Sequence, residues 1–264
     1  MHRIAVPPKR RIASAFGRRA ADFDGRAPVQ SELSALLAAK LSVSGLSGGR
    51  WADLGCGTGT FAGECEKRGF RGRIVCVDIS FEPLVICRER RAGPQLTVQA
   101  DIECLPFQRE SFDVAVTAST LQWLDNPPAA LKNIAALLKN AGLLAFSVFV
   151  EGSFRELFSI QQRFGIPAPV RCLETAVFTG ALADAGFTSV EYETVEKIVH
   201  EATAAAVLKN ISVIGSCATA AERLLNRKEL AEFCRAYETD FGRCGSVPLT
   251  YRAITGVCRK GRQS

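Results

Sequence analysis

Apolar residues recur along this chain first at helical spacing and then in short runs alternating with helical stretches. Ile12 to Ala21 and Val29 to Leu41 read as helices, the second placing Leu33, Leu36, Leu37 and Leu41 on one face at intervals of three and four. From Arg50 a strand-loop-helix pattern repeats. Strands are expected at Trp51–Leu54, Arg73–Val77, Leu96–Ala100, Phe112–Ala118 and Leu143–Val150. Helices are expected near Phe61–Arg68, Glu82–Arg91 and Pro128–Leu138. This alternation predicts an α/β fold with a mostly parallel sheet and helices on both faces, because parallel strands require crossovers that cover them.

Beyond Val150 the pattern is less regular. Gly152 to Arg171 reads as an insertion, Ala176–Ala185 as a helix ended by Gly186, and Ser189–Val199 as a long strand. Residues 202–241 read as two helices broken around Ser216 to Ala220, and Leu249–Cys258 as a closing strand. The expected organisation is a basic flexible tail over 1–11 and a single domain over 12–264. Within it, 12–42 form a helical lid, 50–150 the ligand-binding core, and 151–175 with 200–245 a cap.

At 264 residues the chain is long enough for one sizeable domain with insertions. The formal charge is +6, but residues 1–26 hold seven Lys or Arg against Asp22 and Asp24, so this arm alone supplies +5. The remainder is nearly neutral, which argues against a broad nucleic-acid surface and leaves a local arm suited to an acidic partner. Ten cysteines, at 56, 65, 76, 87, 104, 172, 217, 234, 244 and 258, form no Cys-x-x-Cys pair, and the chain has only His2 and His200. No structural zinc site or other metal is expected from such spacing, and a reducing cytoplasm is the natural compartment. The longest near-continuous apolar run, Leu143 to Val150, spans eight residues, against roughly 20 for a membrane-spanning helix. Residues 1–21 lack Asp and Glu and are rich in Arg, as transit peptides are, but no apolar signal region follows.

The segment that carries chemistry is Asp53-Leu-Gly-Cys-Gly-Thr-Gly59. A strand ending at Asp53 and turning through Gly55, Gly57 and Gly59 into a helix lets backbone amides approach a nucleotide-like ligand without side-chain obstruction. Nineteen residues after Gly59, at the end of the second strand, Asp78 can accept hydrogen bonds from both hydroxyls of a ribose. Thr60 stands where a dinucleotide fold keeps its third glycine, so a pyrophosphate is less favoured. Asp53 beside the turn, Asp101-Ile102 after the third strand and Phe112-Asp113 opening the fourth point instead to S-adenosylmethionine.

With these motifs, Arg50 to Val150 resembles the class I methyltransferase family, whose Rossmann-like sheet has seven strands with the last antiparallel. The resemblance implies that Gly55 and Gly57 line the methionine portion of the donor and that Asp78 holds its ribose, with Gly59 and Ile79 also among the cofactor residues. It further implies Asp101 and Ile102 beside the adenine, and Asp53 and Thr117 among the cofactor residues. Other segments are similar to the malonyl-acyl-carrier-protein O-methyltransferases of biotin synthesis: Ala15 to Asp24, Ala27-Pro-Val-Gln30, Thr120-Leu-Gln-Trp123, Glu151 to Leu157 and Pro248 to Arg252. That resemblance runs from about Ile12 to Lys260 and departs at Phe23, where the family often shows a tyrosine. It implies methyl transfer to the free carboxylate of a malonyl thioester on its carrier protein, or on coenzyme A, with release of S-adenosylhomocysteine.

A carboxylate is already ionised at neutral pH, so such a reaction needs positioning and desolvation rather than a general base. Phe16, Phe23 and Gln30 are candidates for a lid, and Gln122, Trp123, Tyr251 and Arg252 for the acceptor pocket, with Arg252 pairing with the malonyl carboxylate. Arg10, Arg11, Arg18 and Arg19 are candidate contacts to the carrier protein. The alternatives are another class I enzyme acting on a small-molecule carboxylate or quinone, and an RNA-binding or non-catalytic scaffold. The last lacks aromatic residues interleaved with Lys and Arg on a strand platform.

Overall fold

The computed structural model describes residues 8–46, 48–90, 96–166, 171–213 and 225–261. In β1 (Arg50–Leu54) every residue after Arg50 is buried, as a central strand covered on both faces requires. It pairs in parallel with β2 (Arg73–Asp78) and β4 (Phe112–Ala118). Outside these lie β3 (Leu96–Gln99) and β5 (Leu138–Phe149), also parallel. Then β7 (Val247–Lys260) runs antiparallel between β5 and β6 (Phe187–Glu201). The sheet order is β3-β2-β1-β4-β5-β7-β6, the seven-stranded sheet with antiparallel last strand that the resemblance implied. Crossovers leave β1 in opposite directions on its two sides, so a crevice opens between the carboxyl ends of β1 and β4.

On one face α3 (Pro28–Val43), α4 (Thr60–Lys67) and α5 (Phe81–Glu89) bury Leu37, Leu41, Phe61, Leu84 and Trp51. On the other, α6 (Pro127–Leu137) and α8 (Thr175–Asp184) bury Leu131, Ile134, Phe178 and Leu182 against Phe112 and Phe146. A third apolar cluster joins α7 (Arg155–Arg163), α9 (Ala204–Val213) and α10 (Arg227–Phe241) to Leu33, Phe149 and the first half of β7.

The helix expected over Ile12–Ala21 is two helices, α1 (Lys9–Gly17) and α2 (Ala20–Arg26), separated by a turn at Arg18 and Arg19. Gly17 allows the bend to sit against α5, since a Cβ there would lie 2.4 Å from the Glu82 carboxylate. Lys9, Arg10 and Arg11, expected within a flexible tail over 1–11, belong to α1. Residues 1–7, Cys217 and the expected break around Ser216 to Ala220 lie outside the described residues, as do residues 167–170 of the insertion. Among the described residues no helix is long and apolar enough to cross a membrane.

Candidate active site

After β1 the glycine turn has positive φ at Gly55, Gly57 and Gly59 (77°, 52° and 84°), where side chains are strained. The backbone N–H groups of Gly55 and Cys56 donate to the Val77 carbonyl at 2.7 and 2.9 Å, fixing the turn to β2. Asp78 completes the link: its carboxylate accepts from the Gly57 N–H at 2.9 Å and the Ser80 N–H at 2.8 Å. The three glycines have different reasons. A Cβ on Gly55 would lie 2.3 Å from Thr120, one on Gly59 would lie 2.6 Å from the Cys87 sulfur, and one on Gly57 meets nothing within 4 Å. Gly55 and Gly57 line the crevice, whereas Gly59 does not. Expected as a ligand contact, Gly59 instead permits packing of α4 against α5.

Asp53, Gly55, Gly57, Asp78, Ile79, Asp101 and Ile102 line a single cavity at the carboxyl ends of the strands. Burial pushes the Asp78 carboxyl above its ordinary range, although its two backbone hydrogen bonds oppose that. Thr117 does not line the cavity; it is fully buried within β4, and its hydroxyl has no hydrogen-bond partner among the described residues. Phe112-Asp113 opens β4, as expected of that motif, and the Asp113 carboxylate stands at the end of the strand remote from the cavity. It accepts from the Arg50 N–H and the Lys139 ammonium, each at 2.8 Å, and these hold it below the usual carboxylate range.

Phe16, Phe23, Gln30, Gln122 and Trp123 line the same cavity. The Phe16 ring lies 5.9 Å from Phe23 and 5.5 Å, edge-on, from Trp123, so aromatic residues of the two leading helices meet the 3-10 turn Leu121–Trp123 after β4. Gln122 is buried; its amide nitrogen donates to the Ser119 carbonyl at 2.8 Å, and its amide oxygen has no hydrogen-bond partner among the described residues. Two further residues fasten the leading helices to the site and were missed by sequence reasoning. Lys9, which also lines the cavity, pairs with Asp101 and Glu103. Burial alone would lower its pKa, but those two carboxylates outweigh burial and raise it. Asp24 accepts from the Thr58 hydroxyl at 2.7 Å and the Thr60 hydroxyl at 3.3 Å, and pairs with Arg90. Its one visible signal was an acid within an otherwise basic arm.

The distant segments Glu151 to Leu157 and Pro248 to Arg252 form one joint. The Thr250 N–H and hydroxyl donate to the buried Glu156 carboxylate at 3.0 and 2.6 Å, and the Phe154 N–H donates to the Thr250 carbonyl at 2.6 Å. Phe154 packs edge-on against Tyr251 with ring centres 5.0 Å apart and forms part of the cavity wall together with Phe149. Tyr251 therefore backs the wall without reaching the cavity. Arg252, the next residue on β7, faces the other side of the sheet, where its guanidinium donates to the Glu151 carbonyl at 3.2 Å. It does not line the cavity, and this placement removes the basis for assigning it to the malonyl carboxylate. Arg10, Arg11 and Arg18 are exposed on the leading helices, whereas Arg19 donates to the Ser212 hydroxyl at 2.7 Å.

The sheet order and the glycine-acid cavity define a class I methyltransferase, and residues 52–146 match the family model for a methyltransferase domain. A S-adenosylmethionine-dependent methyltransferase of Thermotoga maritima shares the fold, with a TM-score of 0.54 over 93% of this chain and 98% of that one at 20% identity. A malonyl-[acyl-carrier protein] O-methyltransferase of Geobacter sulfurreducens is 31% identical over 264 residues, covering 96% of this chain and 99% of the relative. The enzyme of that name from Erwinia pyrifoliae is 27% identical, over 96% of this chain and 94% of its own. The chain belongs to the malonyl-[acyl-carrier protein] O-methyltransferase family.

Proposed function

We propose that the protein transfers the methyl group of S-adenosylmethionine to the free carboxylate of malonyl-acyl-carrier protein. The products are the malonyl methyl ester, a primer for the pimelate moiety of biotin, and S-adenosylhomocysteine. One observation carries the reading. A single cavity runs from acids at three strand ends, Asp53, Asp78 and Asp101, to a wall of Phe16, Phe23, Trp123 and Gln122, and its described lining contains no histidine.

The donor fits the acid end. Gly57 offers a face open to a ligand, Asp78 a carboxylate for ribose hydroxyls, and Asp101 with Ile102 a polar and an apolar neighbour for adenine. When bound, S-adenosylmethionine supplies an electrophilic methyl group on a positively charged sulfur. The chain's own residues then have three tasks. Phe16, Phe23 and Trp123 exclude water and present ring faces to a cation, which strengthens the attraction between carboxylate and sulfonium. Gln122 and Gln30 hold the acceptor by neutral hydrogen bonds, replacing the role expected of Arg252. A neutral clamp leaves the carboxylate oxygen more nucleophilic than an arginine pair would. The sole cation in the described lining, Lys9, is already engaged by Asp101 and Glu103.

For the carrier protein, acidic by the family resemblance, the exposed Arg10, Arg11 and Arg18 offer a docking face on the lid, and added salt should raise KM. The deciding experiment incubates the protein with labelled S-adenosylmethionine and malonyl-carrier protein, malonyl-coenzyme A or a succinyl analogue. A base-labile methyl ester on the malonyl thioester is expected. Label on a phenol or quinone, with none on either malonyl thioester, would transfer the chain to the alternative class of acceptor.

A further inference from the structure

Three cysteines remote in sequence converge behind the glycine turn. Cys56 lies in the turn, Cys76 on β2 and Cys87 on α5, and their sulfurs all lie within 4.8 Å of one another. Cys76 and Cys87 are fully buried, and Cys56, 8% exposed, lines the cavity. Among the described residues no other three His, Cys, Asp or Glu side chains are placed this way. Buried cysteines commonly serve as small apolar fillers, but these three aim their sulfurs at one point, close enough for thiol–thiol hydrogen bonds. Here the fold makes room for that aim, since the Cys87 sulfur occupies the space a side chain on Gly59 would need.

The donor set specifies the ligand. Three soft sulfurs with no imidazole suit a d10 cation of low coordination number, whereas structural zinc ordinarily takes four donors. We propose that Cys56, Cys76 and Cys87 form a three-sulfur site for a soft monovalent cation, copper(I), reached through the cofactor cavity. No redox change is involved: each copper–sulfur bond formed from a thiol releases one proton to solvent, and the metal stays copper(I).

Cys56 ties the site to the turn, because its N–H donates to the Val77 carbonyl. Moving its sulfur onto a cation disturbs the loop that faces the methyl donor. Copper(I) and S-adenosylmethionine should therefore weaken each other's binding by the same factor.

The test titrates the full chain anaerobically with copper(I) against a chromophoric copper(I) chelator. One equivalent should be withheld from the chelator, with loss of that equivalent in Cys76→Ala and Cys87→Ala and its retention in Cys104→Ala and Cys244→Ala, whose thiols are exposed. X-ray absorption of the wild-type complex, which needs no variant to fold, should show a shell of sulfur alone. No copper withheld, an equivalent that survives Cys76→Ala, or a shell of nitrogen and oxygen would overturn the proposal. None of these readouts involves methyl transfer, so failure here is distinguishable from failure of the proposed function.

Discussion

The Asp24 carboxylate of α2 accepts a hydrogen bond from the Thr58 hydroxyl of the glycine turn at 2.7 Å, bonding the lid to the loop it covers. Hydrogen bonds to charged groups contribute about 1.5–3 kcal/mol, less where water competes, as at this partly exposed carboxylate. Asp24→Ala should weaken donor binding roughly 5- to 30-fold, the equivalent of about 1–2 kcal/mol, mainly by faster release. Calorimetry and stopped-flow release measure this, with Asp22→Ala as control. Equal affinity in both variants would show that the contact does not hold the lid.

Gln122→Met keeps the volume and removes a buried amide oxygen that has no hydrogen-bond partner among the described residues. Removing that atom is stabilising, but methionine also loses the amide's hydrogen bond to the Ser119 carbonyl, so thermal stability should change by no more than about 1 kcal/mol. If Gln122 positions the acceptor, kcat/KM for it should nevertheless fall about 10- to 100-fold with donor affinity intact, a loss of roughly 1.4–2.8 kcal/mol in the transition state. Parallel loss of stability and both affinities would mark the residue as structural.

Donor affinity should fall at an unusually high pH for a carboxylate. Asp78 must be ionised to accept two ribose hydroxyls, and burial raises its pKa, so the acid limb of binding lies above the ordinary carboxylate range. The raised value also means that the carboxyl contributes most to stability below its unfolded pKa, and that this contribution is lost as pH rises through the folded one. In Asp78→Asn the acid limb should vanish along with most of the affinity. A limb unchanged in that variant would assign it to another group.

Asp113 behaves oppositely. Its pKa is lowered by the Arg50 N–H and Lys139, so its contribution to stability is present above the unfolded carboxylate pKa and is lost as pH falls through the folded value. Asp113→Asn should lower neutral-pH stability by about 1 kcal/mol or less, the ordinary range for an exposed pair. The difference from wild type should shrink in acid, and donor affinity should not change. A weakened donor would show that Asp113 acts on the site from the far end of β4.

The strands and the cavity's acid end were legible because both are local. Apolar runs delimit β1 to β4 to within about two residues, and Asp53, Asp78 and Asp101 follow strand ends, where parallel sheets place their ligands. Arg252 was not readable: β7 is paired on both edges and covered on both faces, so alternation does not reveal which residues face α7. Lys9 with Asp101 and Asp24 with Thr58 are separated by 92 and 34 residues, and no local spacing encodes such pairs. The cysteine cluster was invisible for the same reason, since its members come from a turn, a strand and a helix.

The joint between Glu156 and Thr250 has a consequence for synthesis. Strand β7 inserts between β5 and β6, so β6 has no neighbour in the sheet until residues 247–260 have left the ribosome. A nascent chain can assemble β1 to β5 and their helices earlier, with the glycine turn formed. Phe154 and Tyr251 come together only on that last insertion. The emerging protein should therefore pass through a stage able to retain the donor's nucleoside while its acceptor wall is unfinished.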